Sequence, residues 1–188
     1  MDKFLYIILI IVFIVIIIFK PTHFDKYIRG KDIIICGNSP KFDELYKKIN
    51  VTNNSVIVRF NDAIKYYPHK SSTDVYVYGR AMNLTENKIK KLENKYKFVF
   101  GSGRNEVYRS NHILNNIELE SPTTGFRFFT WILTKKHLVN SITILGFNME
   151  SLKSHGFDNK NFSRRHDRIN EPKQLKKLVD KYKINYLQ

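Results

Sequence analysis

The hydrophobic pattern divides the chain into one long apolar run and a series of short ones. Phe4 to Phe19 (FLYIILIIVFIVIIIF) is unbroken, and its sixteen residues, at 1.5 Å each in a helix, span about 24 Å, slightly under the hydrocarbon thickness of a bilayer. A thin bilayer accepts that length, with Lys3 and Lys20 reaching toward the headgroups. A cleaved signal peptide calls for a small-residue cleavage site, which Phe19-Lys20-Pro21-Thr22 does not offer. Residues 1–20 therefore read as a retained signal anchor with a transmembrane helix over 4–19. Residues 21–30 (PTHFDKYIRG) show no period and read as a short stem, so the folded domain is expected over 31–188.

Beyond the stem the pattern alternates between strand-like and helix-like. Asp32 to Cys36 (DIIIC) is continuously apolar and β-branched and runs into Gly37-Asn38-Ser39-Pro40, the mark of a buried strand followed by a turn. Phe42 to Ile49 carries apolar residues at helical spacing, with Ser39 or a neighbouring Asn able to cap its start. Further strands are predicted at Ser55–Phe60, Asp74–Tyr78, Lys97–Phe100, Ile142–Phe147 and Ile184–Leu187. Helices are predicted at Asn87–Asn94, Thr124–Leu138 and Glu171–Lys181. This alternation implies an α/β fold with a mostly parallel sheet flanked by helices.

Charge narrows the partners less than it first suggests. The 188 residues hold 32 Lys and Arg against 17 Asp and Glu, a formal charge of +15, which fits an anionic surface or substrate. A chain this rich in Lys, Asn and Ile also fits an AT-rich coding sequence. The lysines are scattered through stretches such as ENKIKKLENK and are not gathered into an arm interleaved with aromatics, so no nucleic acid is expected. Cys36 is the single cysteine, which rules out an intramolecular disulfide. Lys20, Lys26, Arg29 and Lys31 outnumber Lys3 and would place the domain in the cytosol by the positive-inside rule. The sequons at Asn50, Asn53, Asn83 and Asn161 would be usable in a lumenal domain, although an Asn-rich chain also makes them by chance.

Ligands of open α/β sheets bind beyond the carboxyl ends of the strands, so the residues just after each strand are the candidates for chemistry. Gly37-Asn38-Ser39 combines close backbone approach with a donor and an acceptor, although the same three residues also make an ordinary turn. Asn61 ends the strand SVIVRF and suits either a ligand contact or a helix cap. Thr123-Thr124-Gly125 opens the most apolar helix of the domain, where free N–H groups and hydroxyls suit a phosphate or carboxylate as well as simple capping. His155 and His166, with Glu171, follow the strand ITILGF, and an imidazole there could take a proton from a sugar hydroxyl.

In this order the four places resemble the sialylmotifs of the animal-type sialyltransferases, glycosyltransferase family 29. IIICGNSPKF with VIVRFNDA and TDV is similar to the large motif, and SPTTGFRFFTWILTKKHLVNSITILGF to the small one. His166-Asp-Arg-Ile-Asn-Glu171 matches the very small H-x4-E motif, and His155 stands near the third motif. The lone cysteine departs from the disulfide that usually joins the large and small motifs. The bacterial sialyltransferases of family 42 share a comparable strand, G-N turn and late histidine.

The resemblance implies a Rossmann-like GT-A variant that uses a CMP-sialic acid donor and a glycan acceptor, with no metal and no further cofactor. No D-x-D occurs in the chain. It implies His166 as the general base and His155 as a neutraliser of the leaving phosphate. Gly37, Asn38, Ser39 and Asn61 would hold the nucleotide, Thr123, Thr124 and Gly125 the donor's anionic groups, and Glu171 would orient the site. It also implies a Golgi or endoplasmic-reticulum membrane protein with a lumenal domain. Two other classes remain open, a membrane-tethered basic module for nucleic acid or anionic lipid, and an inactive or other CMP-sugar transferase on the same fold.

Overall fold

The computed structural model describes residues 5–8, 22–39, 41–61, 73–79, 84–101, 119, 122–147 and 169–187. Among the described residues six strands form one sheet, parallel throughout, in the order β4-β3-β2-β1-β5-β6. They are β1 Asp32–Cys36, β2 Ser55–Phe60, β3 Val75–Tyr78, β4 Phe98–Gly101, β5 Ser141–Leu145 and β6 Asn185–Leu187. The helices are α1 His23–Ile28, α2 Phe42–Tyr46, α3 Glu86–Glu93, α4 Thr124–Thr134 and α5 Asn170–Tyr182.

Both faces of the sheet are covered, which is why its strands read as continuous apolar runs. Ile33 and Ile35 of β1, Val56, Val58 and Phe60 of β2, and Ile144 of β5 meet the larger core under α1, α4 and α5. On the other face Ile34, Cys36, Ile57 and Leu145 meet Phe42 and Leu45 of α2. Beside them Tyr76, Tyr78 and Tyr96 gather Ile89 and Leu92 of α3. Each isoleucine taken fully out of water contributes about 2 kcal/mol, so the central strands dominate the stability.

Most boundaries shift by a residue or two from the sequence expectation, the helix predicted over Phe42–Ile49 ends at Tyr46, and three differences have a visible physical cause. The stem is not unpatterned, because residues 23–28 form α1, with Phe24 and Ile28 in the main core. A reciprocal capping box starts it: Asp25 N–H donates to Thr22 Oγ1 at 3.1 Å, and Thr22 N–H donates to Asp25 Oδ2 at 3.0 Å. The helix predicted through Leu138 ends at Thr134, where Lys135 turns away to pair with Asp25 at 2.6 Å, and a short 3₁₀ turn covers Lys136–Leu138. The strand predicted through Phe147 ends at Leu145, because Gly146 takes φ 67°, a left-handed value that glycine tolerates and a strand does not. Among the described residues no helix is long and apolar enough to cross a membrane. The expected transmembrane helix 4–19 lies outside them except for residues 5–8, which are helical.

Candidate active site

The chain winds outward from β1 through β2 and β3 to β4, then returns to the other side of β1 for β5 and β6. The order therefore reverses between β1 and β5, and the crevice at their carboxyl ends is where such sheets bind ligands. Gly37 closes that crevice at its base. Its N–H donates to the Leu145 carbonyl at 2.8 Å, and a Cβ on it would stand 2.3 Å from the Gly146 carbonyl oxygen. Only glycine allows so close an approach of two backbones. The next residue, Asn38, has its Oδ1 buried with no hydrogen-bond partner among the described residues. A buried amide oxygen left without a donor is costly, which makes this atom a candidate acceptor. Ser39 Oγ accepts from Lys41 N–H at 3.2 Å, and its carbonyl accepts from Phe42 N–H at 3.0 Å, so Ser39 shapes the turn into α2.

Asn61 follows β2 with φ 48°, a conformation that Asn accepts more readily than most residues. Its N–H donates to the Val77 carbonyl at 2.9 Å and its Oδ1 accepts from Gly79 N–H at 2.7 Å, which ties the ends of β2 and β3 together. Its side-chain acceptor is thus engaged within the fold. Gly79, which sequence reasoning passed over, is packed on the start of α4, where a Cβ would stand 2.8 Å from Thr124 Oγ1.

Thr123 caps α4, its Oγ1 accepting from Phe126 N–H at 3.2 Å. The same hydroxyl donates to Glu171 Oε1 at 2.5 Å, while Thr123 N–H donates to Glu171 Oε2 at 2.7 Å. Glu171 thus holds the first turn of α4 with both carboxylate oxygens from 48 residues away. This refines the expectation of an anion site at the helix start. The Thr123 N–H already serves the chain's own carboxylate, and Thr124 and Gly125 present the backbone N–H groups that remain. Gly125 lies against the Phe147 ring, and that ring meets Phe60 edge-on at 6.1 Å.

Two buried groups stand behind the crevice. Arg59 is opposite Cys36 in the ladder, 1% exposed, with its guanidinium 4.2 Å from the Phe42 ring centroid. Burial pushes the Cys36 thiol up to about 12, against a lowering by the Arg59 charge, so this sulfur is a packed side chain and no nucleophile. His155 and His166 lie outside the described residues.

No family model and no curated protein matches the chain. Among solved structures it is similar to the sialyltransferase CST-II in complex with a trisaccharide acceptor and CMP. The identity there is 16% and the TM-score 0.49, over 83% of this chain and 79% of that one. It is also similar to the sialyltransferase CstII from Campylobacter jejuni in complex with the substrate analogue CMP-3FNeuAc. That pair has 16% identity and a TM-score of 0.45, over 83% of this chain and 80% of that one. Each likeness concerns the fold alone, and each is to a bacterial enzyme, not to the animal type.

Proposed function

We propose that the chain is a sialyltransferase-like glycosyltransferase, moving sialic acid from CMP-sialic acid to a galactose-type glycan hydroxyl with inversion. The observation that carries this reading is the meeting of three sequence-distant segments at one crevice. The Gly37-Asn38-Ser39 turn follows β1 at the point where the order reverses, Asn61 follows β2, and the Thr123-Thr124-Gly125 helix start packs beside Gly79 and Phe147, all at the carboxyl edge of the sheet. These are the segments that carry the resemblance to the sialylmotifs.

In this reading Asn38 Oδ1 accepts from the cytosine amino group or a ribose hydroxyl, and Asn61 Nδ2 donates to the nucleotide. The N–H groups of Thr124 and Gly125 receive the phosphate or the sugar carboxylate, at the positive end of the α4 dipole. Glu171 orients that helix start through Thr123 and exchanges no proton. The imidazole of His166 takes the proton of the acceptor hydroxyl. The acceptor oxygen attacks the anomeric carbon, and the bond from that carbon to the phosphate oxygen breaks from the opposite side. CMP leaves with the electron pair, and His155 offsets its charge. No metal enters these steps. The run 4–19 would hold the enzyme in a Golgi or endoplasmic-reticulum membrane with its domain in the lumen.

The test is His166→Ala in the detergent-solubilised full chain, with CMP release measured from CMP-sialic acid and a galactoside. Turnover should fall by about 10² to 10⁴, the usual contribution of a general base. Unchanged release would remove His166 from that role. Thermal stabilisation by CMP without any turnover in the unmodified chain would favour an inactive relative on the same fold.

A further inference from the structure

The turn that follows β5 touches all three segments of the crevice, and the last strand of the sheet holds it from behind. Pairing of β5 with β6 stops at Leu145 and Leu187, and Gly146 leaves the ladder with φ 67°. Two groups of β6 then take hold of the turn. The Leu187 carbonyl accepts from Gly146 N–H at 3.1 Å, and Tyr186 OH donates to the Phe147 carbonyl at 2.6 Å, within the usual range for a hydroxyl donor. Tyr186 stands opposite Ile144 in the ladder and packs on the larger core, so packing sets the place from which its hydroxyl reaches forward to Phe147.

The residue steadied by this bond fills the base of the crevice. A Cβ on Gly37 would stand 3.0 Å from Phe147 Cδ2, and a Cβ on Gly125 would stand 2.9 Å from Phe147 Cε1. The ring is therefore wedged between the turn after β1 and the start of α4. Phe60, the residue before Asn61, meets it edge-on at 6.1 Å between centroids. Gly146 lies as close to the same turn, since a Cβ on it would stand 3.1 Å from Ser39 Cβ. Close-packed interiors transmit a displacement and absorb little of it. Moving the Phe147 backbone thus changes the spacing between the Gly37 turn and the Gly125 helix start.

We infer that Tyr186 is a positioning residue of the crevice. Its hydroxyl fixes the Phe147 carbonyl, and the Phe147 ring in turn sets the distance between the Asn38 turn and the N–H groups of Thr124 and Gly125. Tyr186 acts through Phe147 and not by touching the nucleotide. For CMP this rests on the nucleotide-binding reading, whereas the spacing itself can be measured with no nucleotide present.

Tyr186→Phe removes the hydroxyl and keeps the ring, so the detergent-solubilised full chain should still fold. Its CMP affinity should weaken about fivefold, the equivalent of one hydrogen bond. Ile184→Val trims a buried core side chain two residues away and serves as the control. It should lower the unfolding midpoint by about 3 °C and leave CMP affinity unchanged, because a bond that only stabilised the fold would not alter binding by the folded chain. Phe147→Leu removes the wedge and should weaken CMP by itself, after which Tyr186→Phe should cost nothing more. Unchanged affinity in Tyr186→Phe, an equal loss in Ile184→Val, or additive losses in the double variant overturn the role. If the unmodified chain binds no CMP, the transferase reading fails, and hydrogen exchange without nucleotide decides the positioning role. Tyr186→Phe should then speed exchange about fivefold in peptides spanning Gly37 and Phe126, whose N–H groups bond the Leu145 carbonyl and Thr123 Oγ1. The Gly30 amide, bonded to the Leu138 carbonyl, should not respond. Unchanged exchange at the first two, or equal speeding at Gly30, overturns the role.

Discussion

The two edges of this sheet are made of the same strands and differ in the polar groups they leave over. At the amino edge the polar groups of Asp74 and Gly30 are partnered within the chain. Asp74 alone accepts three hydrogen bonds, and the Gly30 carbonyl accepts two from side chains. Left-handed backbone occurs at both edges, at Gly30 and Lys183 on the amino edge and at Asn61 and Gly146 on the carboxyl edge, but only at the carboxyl edge do glycines bring chains into contact that any Cβ would separate. There Asn38 Oδ1 is left buried without a donor among the described residues. Both edges use hydrogen bonds to hold the layers together, and Asn38 Oδ1 is the buried atom that the described carboxyl edge leaves over. Stability and ligand binding should therefore separate under mutation.

The largest effect is expected at Gly37. Gly37→Val forces a branched side chain against the Gly146 carbonyl, which should cost about 3 kcal/mol in urea unfolding and abolish CMP binding together with it. Retained stability would mean that the crevice is looser than its geometry shows. Next comes Asp74→Ala, which strands a buried Ile57 N–H and should cost about 2 kcal/mol. Its donor KM should stay unchanged, and a shift in KM would erase the distinction between the edges. Glu171→Gln keeps the shape of its contact with Thr123 but weakens the charged hydrogen bonds. About 1 kcal/mol of stability and about tenfold in kcat are expected, with a smaller change in KM, since a misplaced helix start acts on orientation.

The smallest effect sharpens the comparison through pH. Burial alone would raise the Asp25 carboxyl, but the hydrogen bonds from Lys135, Thr22 N–H and Thr22 OH, with the Lys135 charge, hold it below its ordinary value. A group whose folded value is depressed adds stability above its unfolded value, near pH 4, and loses it as pH falls through the folded value. Thermal unfolding between pH 5 and 2 should therefore fall more steeply for the unmodified chain than for Asp25→Asn. Parallel curves would show that the Lys135 pair adds nothing.

Much of the architecture was legible because the strands announce themselves locally. β1 and β2 are β-branched runs bounded by turn residues, and they begin and end at the positions the pattern predicts. α1 was not legible as a period, since six residues hold too few turns to show one. Its signal was the T-x-x-D capping box at Thr22 and Asp25. The ends of α4 and β5 depend on Lys135 finding Asp25 and on Gly146 turning left-handed, and both are tertiary events that local spacing does not encode. In the site, the residues Gly37, Asn61 and Thr123 could be picked out because each follows a strand or opens a helix. Their use could not: Asn61 Oδ1 serves Gly79, and Glu171 occupies the Thr123 N–H, through contacts between segments far apart in the chain.

The claim on which the functional reading turns is that the carboxyl-edge crevice holds CMP. Isothermal titration of the full chain with CMP, AMP and UMP measures this directly, alongside the Asn38→Asp and Asp74→Ala variants. The account predicts saturable binding of one CMP and weaker binding of the other two, with affinity lost in Asn38→Asp, where a like charge would face the nucleotide, and kept in Asp74→Ala. Absence of CMP binding, or CMP binding indifferent to Asn38 and lost with Asp74, would contradict it.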